Sequence, residues 1–144
     1  MIIIHVPAVP IAQPRPRAVS IRGKAMMYAD HKHPVESFKA TVRLAAAAVW
    51  QEENGAGPLD GPLSVALVFV LPRPKTKVWK TRPMIRECHI KKPDFDNLAK
   101  AATDALTGLC WVDDSQLCDV TIKKWIAAGD EQPHVTIRIQ KVKQ

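Results

Sequence analysis

Apolar runs alternate along the chain with breaks marked by proline and glycine, and the period of each run predicts an element. Residues 2–6 (Ile-Ile-Ile-His-Val) are rich in β-branched side chains and stop at Pro7, which predicts a first strand. The segment Gln13-Pro14-Arg15-Pro16-Arg17 predicts an extended basic arm, because each proline disfavours helical geometry in the residue before it. Residues 18–21 and 25–28, separated by Arg22-Gly23-Lys24, predict a short hairpin with glycine at the turn. Over residues 35–50 the side chains Val35, Phe38, Val42, Ala45, Ala46 and Val49 recur at helical spacing, and Asn54-Gly55 marks the stop. Leu63–Leu71 is a nearly unbroken apolar run, as a central strand requires. A loop spans residues 72–92. A helix over 96–107 follows, with an apolar side of Leu98, Ala101, Ala102, Ala105 and Leu106 and a closing Gly108. Residues 118–126 and 134–139 predict two last strands, joined by a turn near Gly129-Asp130. The order β-β-β-α-β-α-β-β predicts an α+β fold, a single compact domain over residues 1–144 with a mixed β-sheet flanked by two main helices.

Composition narrows the class. With 144 residues, 47% of them hydrophobic and 24% charged, the chain matches one soluble globular domain. No apolar run approaches the roughly 20 residues of a membrane span, and the first residues lack the basic and apolar regions of a signal peptide. Cys88, Cys110 and Cys118 are odd in number and show no Cys-x-x-Cys pairing, which argues against a disulfide framework or a zinc knuckle. The expectation is a cytoplasmic protein with reduced, buried thiols.

Charge points to a partner. There are 21 Lys and Arg residues against 14 Asp and Glu, a net charge of +7, which favours a polyanion and nucleic acid in particular. The basic residues are clustered. Arg73, Lys75, Lys77, Lys80, Arg82, Arg86, Lys91 and Lys92 face a single acid, Glu87, and a second group holds Arg15, Arg17, Arg22 and Lys24. Trp79, inside the basic loop, fits either a small satellite core or a surface on which bases stack.

The acidic residues carry the chemistry. Asp94 and Asp96 stand two apart before a helix, and in an extended segment such residues point the same way. Two neighbouring carboxylates repel unless a cation neutralises them, and Mg²⁺ takes one or two carboxylates together with waters and phosphate oxygens. Asp113 and Asp114 follow about one helix later. If the chain returns there, Asp114 joins Asp94 and Asp96, and a metal polarising phosphate and activating water becomes the natural use of the cluster. The plainer alternatives are helix caps, a solvated Asp-Asp turn, and an exposed ladder of Asp96, Lys100 and Asp104 at i, i+4 spacing. Lys91 and Lys92 suit phosphate contact or a solvated basic turn equally. His31, His33 and His89 are candidate bases or simple surface and packing residues.

The stretch from Lys92-Pro93-Asp94-Phe95-Asp96-Asn97-Leu98-Ala99-Lys100, through Asp104-Ala105-Leu106-Thr107-Gly108, to Trp111-Val112-Asp113-Asp114-Ser115-Gln116 closely resembles the signature of RusA-type Holliday-junction resolvases. The early Gln13-Pro14-Arg15-Pro16-Arg17-Ala18 and Met27-Tyr28 resemble that family's Arg-Pro-Arg segment and hairpin, and Lys124 falls where a family lysine is expected. The resemblance implies a homodimeric, Mg²⁺-dependent endonuclease (Mn²⁺ as a substitute) acting on four-way junction DNA in recombination and repair, of a kind often encoded by phages and prophages. It implies Asp94, Asp96 and Asp114 as the metal-site acids, Asp113 as a lesser ligand, and Lys100 as the catalytic or phosphate-contacting lysine. The DNA contacts it leaves to the basic groups are Arg15, Arg17, Lys75, Lys77, Lys91, Lys92 and Lys124. A two-fold dimer would match the paired cuts that a junction needs. Two other readings stay open, a metal nuclease of flap or RNA preference and a non-catalytic basic DNA-binding module.

Overall fold

The computed structural model describes residues 1–15, 17–28 and 33–144. Pro16 and residues 29–32, His31 among them, lie outside the described residues, as do the side chains of 17–19, 21 and 25–28. Strand β1 (Ile2–Val6) is followed by the hairpin β2 (Arg17–Ile21) and β3 (Lys24–Tyr28), helix α1 (Val35–Glu53) and strand β4 (Leu63–Leu71). Then come a two-residue strand β5 (Glu87–Cys88), helix α2 (Phe95–Leu106), and strands β6 (Leu117–Ile126) and β7 (His134–Lys141). The α+β expectation holds, with β5 as an addition inside the basic loop. The hairpin turns at Arg22 and Gly23, both at positive φ (53° and 76°), the backbone a tight two-residue connection demands.

Five strands form one mixed sheet in the order β1-β7-β4-β6-β5, and β2-β3 stands apart. β4 and β6 are parallel, while β1/β7, β4/β7 and β5/β6 are antiparallel. A parallel pair needs a crossover, and α2 supplies it. Its direction is therefore set: α2 starts where β4 and β6 end and finishes where β6 begins.

Both helices pack on one face. Leu63, Val65, Leu67, Phe69 and Leu71 of β4, with Val135, Ile137 and Ile139 of β7, meet Val42, Ala46 and Trp50 of α1 and Leu98, Ala102 and Leu106 of α2 in one core. Each large aliphatic side chain so buried contributes about 1.5–3 kcal/mol. On the opposite parity of β4, Ser64, Ala66 and Val68 are half-buried and Val70 is buried, so the second face of this strand is only partly covered. Arg43 of α1 donates to the carbonyls of Ala105 and Thr107, both at 3.1 Å, tying down the C-terminal end of α2.

The thiols are free, but only Cys110 is buried. Cys88, at the outer strand β5, and Cys118, at the register shift opening β6, are exposed. Among the described residues no helix is long and apolar enough to cross a membrane.

Candidate active site

The N-terminal end of α2 emerges beside the last residues of β6, and a site forms there. Asp94 occupies the N-cap position in extended backbone, with no side-chain cap bond, and Asp96 sits in the first helical turn. The pair is thus not an extended i, i+2 pair as expected. Both nevertheless line one open depression of about 630 Å³, with His89, Lys91, Lys92, Ile122 and Lys124. Among the described residues neither carboxylate has a hydrogen-bond or ion-pair partner, whereas a cap role would spend an oxygen on the helix. Phe95 (59% exposed) and Ile90 (90% exposed) stand at the rim. The positive end of the α2 dipole, Lys91, Lys92 and Lys124 all favour anions at this spot.

A second depression adjoins it, lined by Gln13, Arg15, Lys92, Asp94 and Asn97. The arm docks on α2 through the Gln13 backbone amide, which donates to the Asn97 backbone carbonyl at 2.9 Å. Arg15 is thereby delivered beside Asp94. Arg17 opens β2, and its side chain lies outside the described residues.

Lys124 reaches this site from the helix-facing parity of β6, which it shares with Ile122 and Ile126. Its ammonium donates to the carbonyls of Lys91 (2.6 Å) and Pro93 (2.7 Å). His89 neighbours it, the backbone amide donating to the Lys124 carbonyl at 3.1 Å. Burial first, and the Lys124 charge second, hold the His89 imidazole below its ordinary pKa.

The second acidic pair goes elsewhere. Asp114 accepts hydrogen bonds from the Thr107 hydroxyl (2.6 Å) and the indole N–H of Trp111 (2.8 Å), at the C-terminal end of α2. A 12-residue helix spans about 18 Å, so within one chain this carboxylate stands about that far from Asp94. The chain does return after α2, but β6 makes the return and brings Lys124 back, not Asp114. Asp113 caps the 3-10 turn Asp114–Gln116, accepting from the Ser115 amide at 2.8 Å. That bond, with the Ser115 side chain, holds the Asp113 carboxyl below the usual range. Gln116 completes the turn, its side-chain oxygen accepting from the Val112 and Asp113 amides, and its side-chain NH2 anchors the turn by donating to the Leu59 and Gly61 carbonyls.

The remaining basic residues fall into distinct settings. Lys100 is exposed and lies 3.7 Å from Asp104 rather than pairing with Asp96, and Lys39 of α1 reaches the same Asp104 at 3.8 Å. Lys75 is exposed, while Lys77 pairs with Glu87 at 3.2 Å and shares with Lys91 and Lys92 a depression behind the site. Arg73 is a staple of the loop: its guanidinium donates to the carbonyls of Lys77, Ile85 and Ala127 and to Glu87. Trp79 is half-buried within this loop, with Arg82 3.6 Å and Arg73 4.9 Å from its ring centre. It lies outside the main core and packs against the loop's own side chains. His33 accepts from the Val35 amide at the start of α1.

The donor set at the α2 N-terminus fits a hard divalent cation. Two unpartnered carboxylates in one open cleft match Mg²⁺, which is held by one or two carboxylates and otherwise by water and phosphate oxygens. Among the described residues no three His, Cys, Asp or Glu side chains stand close enough together to enclose a metal.

Sequence reasoning missed the anchors of Asp114 (Thr107 and Trp111) and the carbonyl clamp of Lys124. Parity held the signal for the latter: a charged residue at an inward position of β6 needs an internal partner.

The uncharacterized protein YqaN of Bacillus subtilis (strain 168) is 32% identical over 142 residues, covering 92% of this chain and 91% of that one. The family model described as endodeoxyribonuclease RusA matches residues 7–140, from the end of β1 to β7, and takes in both acidic pairs. The chain belongs to the RusA endodeoxyribonuclease family.

Proposed function

We propose that this protein is a Mg²⁺-dependent, structure-selective endodeoxyribonuclease that resolves four-way DNA junctions by paired symmetric nicks, acting as a homodimer. The observation that carries the proposal is the cleft in which Asp94 and Asp96, both without partners among the described residues, are ringed by Lys91, Lys92 and Lys124. Carboxylates for a metal and cations for phosphate in one open depression are the requirements of phosphodiester hydrolysis. Asp94 and Asp96 hold the ion. Bound there, Mg²⁺ supplies Lewis-acid polarisation of the scissile phosphate and acidifies the attacking water. Lys91 and Lys92 seat the DNA backbone, and Lys100, one turn along α2 from Asp96, offers its ammonium to developing phosphate charge. Arg15, Arg17, Lys75 and Lys77 extend the contact along the flanking duplex, and Mn²⁺ substitutes for Mg²⁺.

The position of Asp114 argues for two copies. At the far end of α2 it cannot reach an ion held by Asp94 and Asp96 of its own chain, since about 18 Å of helix intervenes. Two α2 helices laid antiparallel about a two-fold axis bring Asp114 of one copy to Asp94 and Asp96 of the other, twice over. Asp114 then completes the site across the dimer, and Asp113 supports it by fixing the turn.

The test is cleavage of a synthetic four-way junction by the purified full chain with Mg²⁺, Mn²⁺ or EDTA, with flap, duplex and RNA substrates alongside. The expected result is metal-dependent nicking of two opposed strands in the junction, and an Asp94→Asn variant that binds the junction without cutting it. Preferential flap or RNA cleavage replaces the junction assignment with another nuclease specificity. Binding that is steeply salt-dependent, with no cleavage under any metal, reduces the protein to a DNA-binding module.

A further inference from the structure

Between β5 and α2 the chain runs through residues 90–93 without joining a strand or a helix, yet this segment delivers Asp94. Backbone of that kind holds a fixed path only if something bonds its polar groups. The Lys124 ammonium does so from the neighbouring strand, with bonds of 2.6 Å to the Lys91 carbonyl and 2.7 Å to the Pro93 carbonyl. An ammonium has three N–H donors, and two are used here. Bonds from a charged donor are about twice as strong as neutral ones. Lys124 is itself fixed, since β6 pairs with β4 at Phe69 and its carbonyl accepts from His89.

We propose that Lys124 is a positioning residue, whose ammonium clamps the two carbonyls ahead of Asp94 and so sets the separation of Asp94 and Asp96 for the metal. This rests on the metal-nuclease reading above, and it assigns Lys124 to the cleft's framework instead of to the DNA backbone. A lysine that ties down a ligand-bearing loop and a lysine that grips phosphate have different signatures. Loss of a supporting contact around a metal site weakens metal affinity or activity by about 10–100-fold. Loss of a phosphate contact lowers the slope of log affinity against log salt by about one.

The experiment compares wild type with Lys124→Met, Lys124→Gln and Lys124→Arg in the full chain. Junction affinity is measured over a salt series with Ca²⁺ in place of Mg²⁺, cleavage is titrated with Mg²⁺, and amide hydrogen exchange is followed without metal or DNA. For Lys124→Met the expected results are an Mg²⁺ half-saturation raised about 10–100-fold, an unchanged salt slope, and faster exchange across residues 91–96. Lys124→Arg, whose guanidinium can donate to both carbonyls, restores all three. Lys124→Gln, neutral but still a donor, falls between, and it decides the matter if Lys124→Met does not fold. A salt slope reduced by about one with an unchanged Mg²⁺ titration makes Lys124 a phosphate ligand and overturns the proposal. Unaltered exchange across residues 91–96 overturns it equally. If the wild type cuts no DNA with any metal, the nuclease reading fails on its own, and the exchange measurement still decides whether Lys124 clamps the loop.

Discussion

Asp114 accepts a 2.6 Å hydrogen bond from Thr107, the residue that caps the C-terminal end of α2. This contact holds Asp114 at one end of α2, whereas Asp94 stands at the N-cap position of the other end, its side chain making no cap bond. Arg43 holds that C-terminal end against α1, so the separation belongs to the packed core and not to a loose loop.

Complementation between inactive variants follows from that geometry. Asp94→Asn and Asp114→Asn homodimers should both be inactive. Mixed dimers should carry one intact site, made from Asp94 of one copy and Asp114 of the other, and should nick one strand of a junction. Absence of any nicking in a refolded equimolar mixture would place all three acids on one chain.

Asp114 also has a structural share that the choice of substitution separates. Asn keeps an oxygen for the Thr107 hydroxyl and the Trp111 indole, so Asp114→Asn should fold with a stability loss under about 1 kcal/mol. Ala leaves the indole of fully buried Trp111 with only the Thr107 oxygen at 3.1 Å, and a loss of about 1–3 kcal/mol is expected in urea unfolding. Both should abolish cleavage.

Arg73 governs the order of the basic loop. Its side chain is 6% exposed, and the guanidinium serves three carbonyls and Glu87. Arg73→Ala should cost about 1–3 kcal/mol through the carbonyls it leaves unpaired. It should also shift Trp79 emission to longer wavelength as the loop opens, and Arg73→Lys should recover only part of both. An unmoved emission spectrum would mean that Arg82 alone keeps Trp79 in place.

His89 gives the site a pH signature. The unfolded chain takes up its proton near pH 6.5, whereas burial, then the Lys124 charge, lower the folded value. Below about pH 6.5 the unfolded state therefore holds more protons. The contribution of His89 to stability is present above that pH and is lost as pH falls toward the folded pKa. Ring-proton NMR should find His89 titrating below pH 6.5, and Lys124→Met should raise it only in part, because burial is the larger cause.

The cysteines should divide by location. Burial pushes the Cys110 thiol up to about 12, and it is fully enclosed. Iodoacetamide should label Cys88 and Cys118 in the native protein and Cys110 only in denaturant. Three labels without denaturant would require the α2 end of the core to open.

Local sequence was enough for every element but β5 and for naming the candidate acids. The 3.6-residue period of Leu98, Ala101, Ala102 and Ala105 and the glycine at 108 placed α2, and the arm's prolines excluded helix, because these are short-range steric and burial effects. It was enough also for the resemblance, since a motif is a string of residues. Which acids share a site is a different kind of fact. The parallel pairing of β4 with β6 turns α2 into a crossover, and a crossover helix must run opposite to its strands. That long-range pairing carries Lys124 to Asp94 and leaves Asp114 with Thr107 at the other end. The β6 residue delivered to the site, the loop carbonyls it holds and the burial that lowers the His89 pKa are properties of the sheet, and only the tertiary structure decided them.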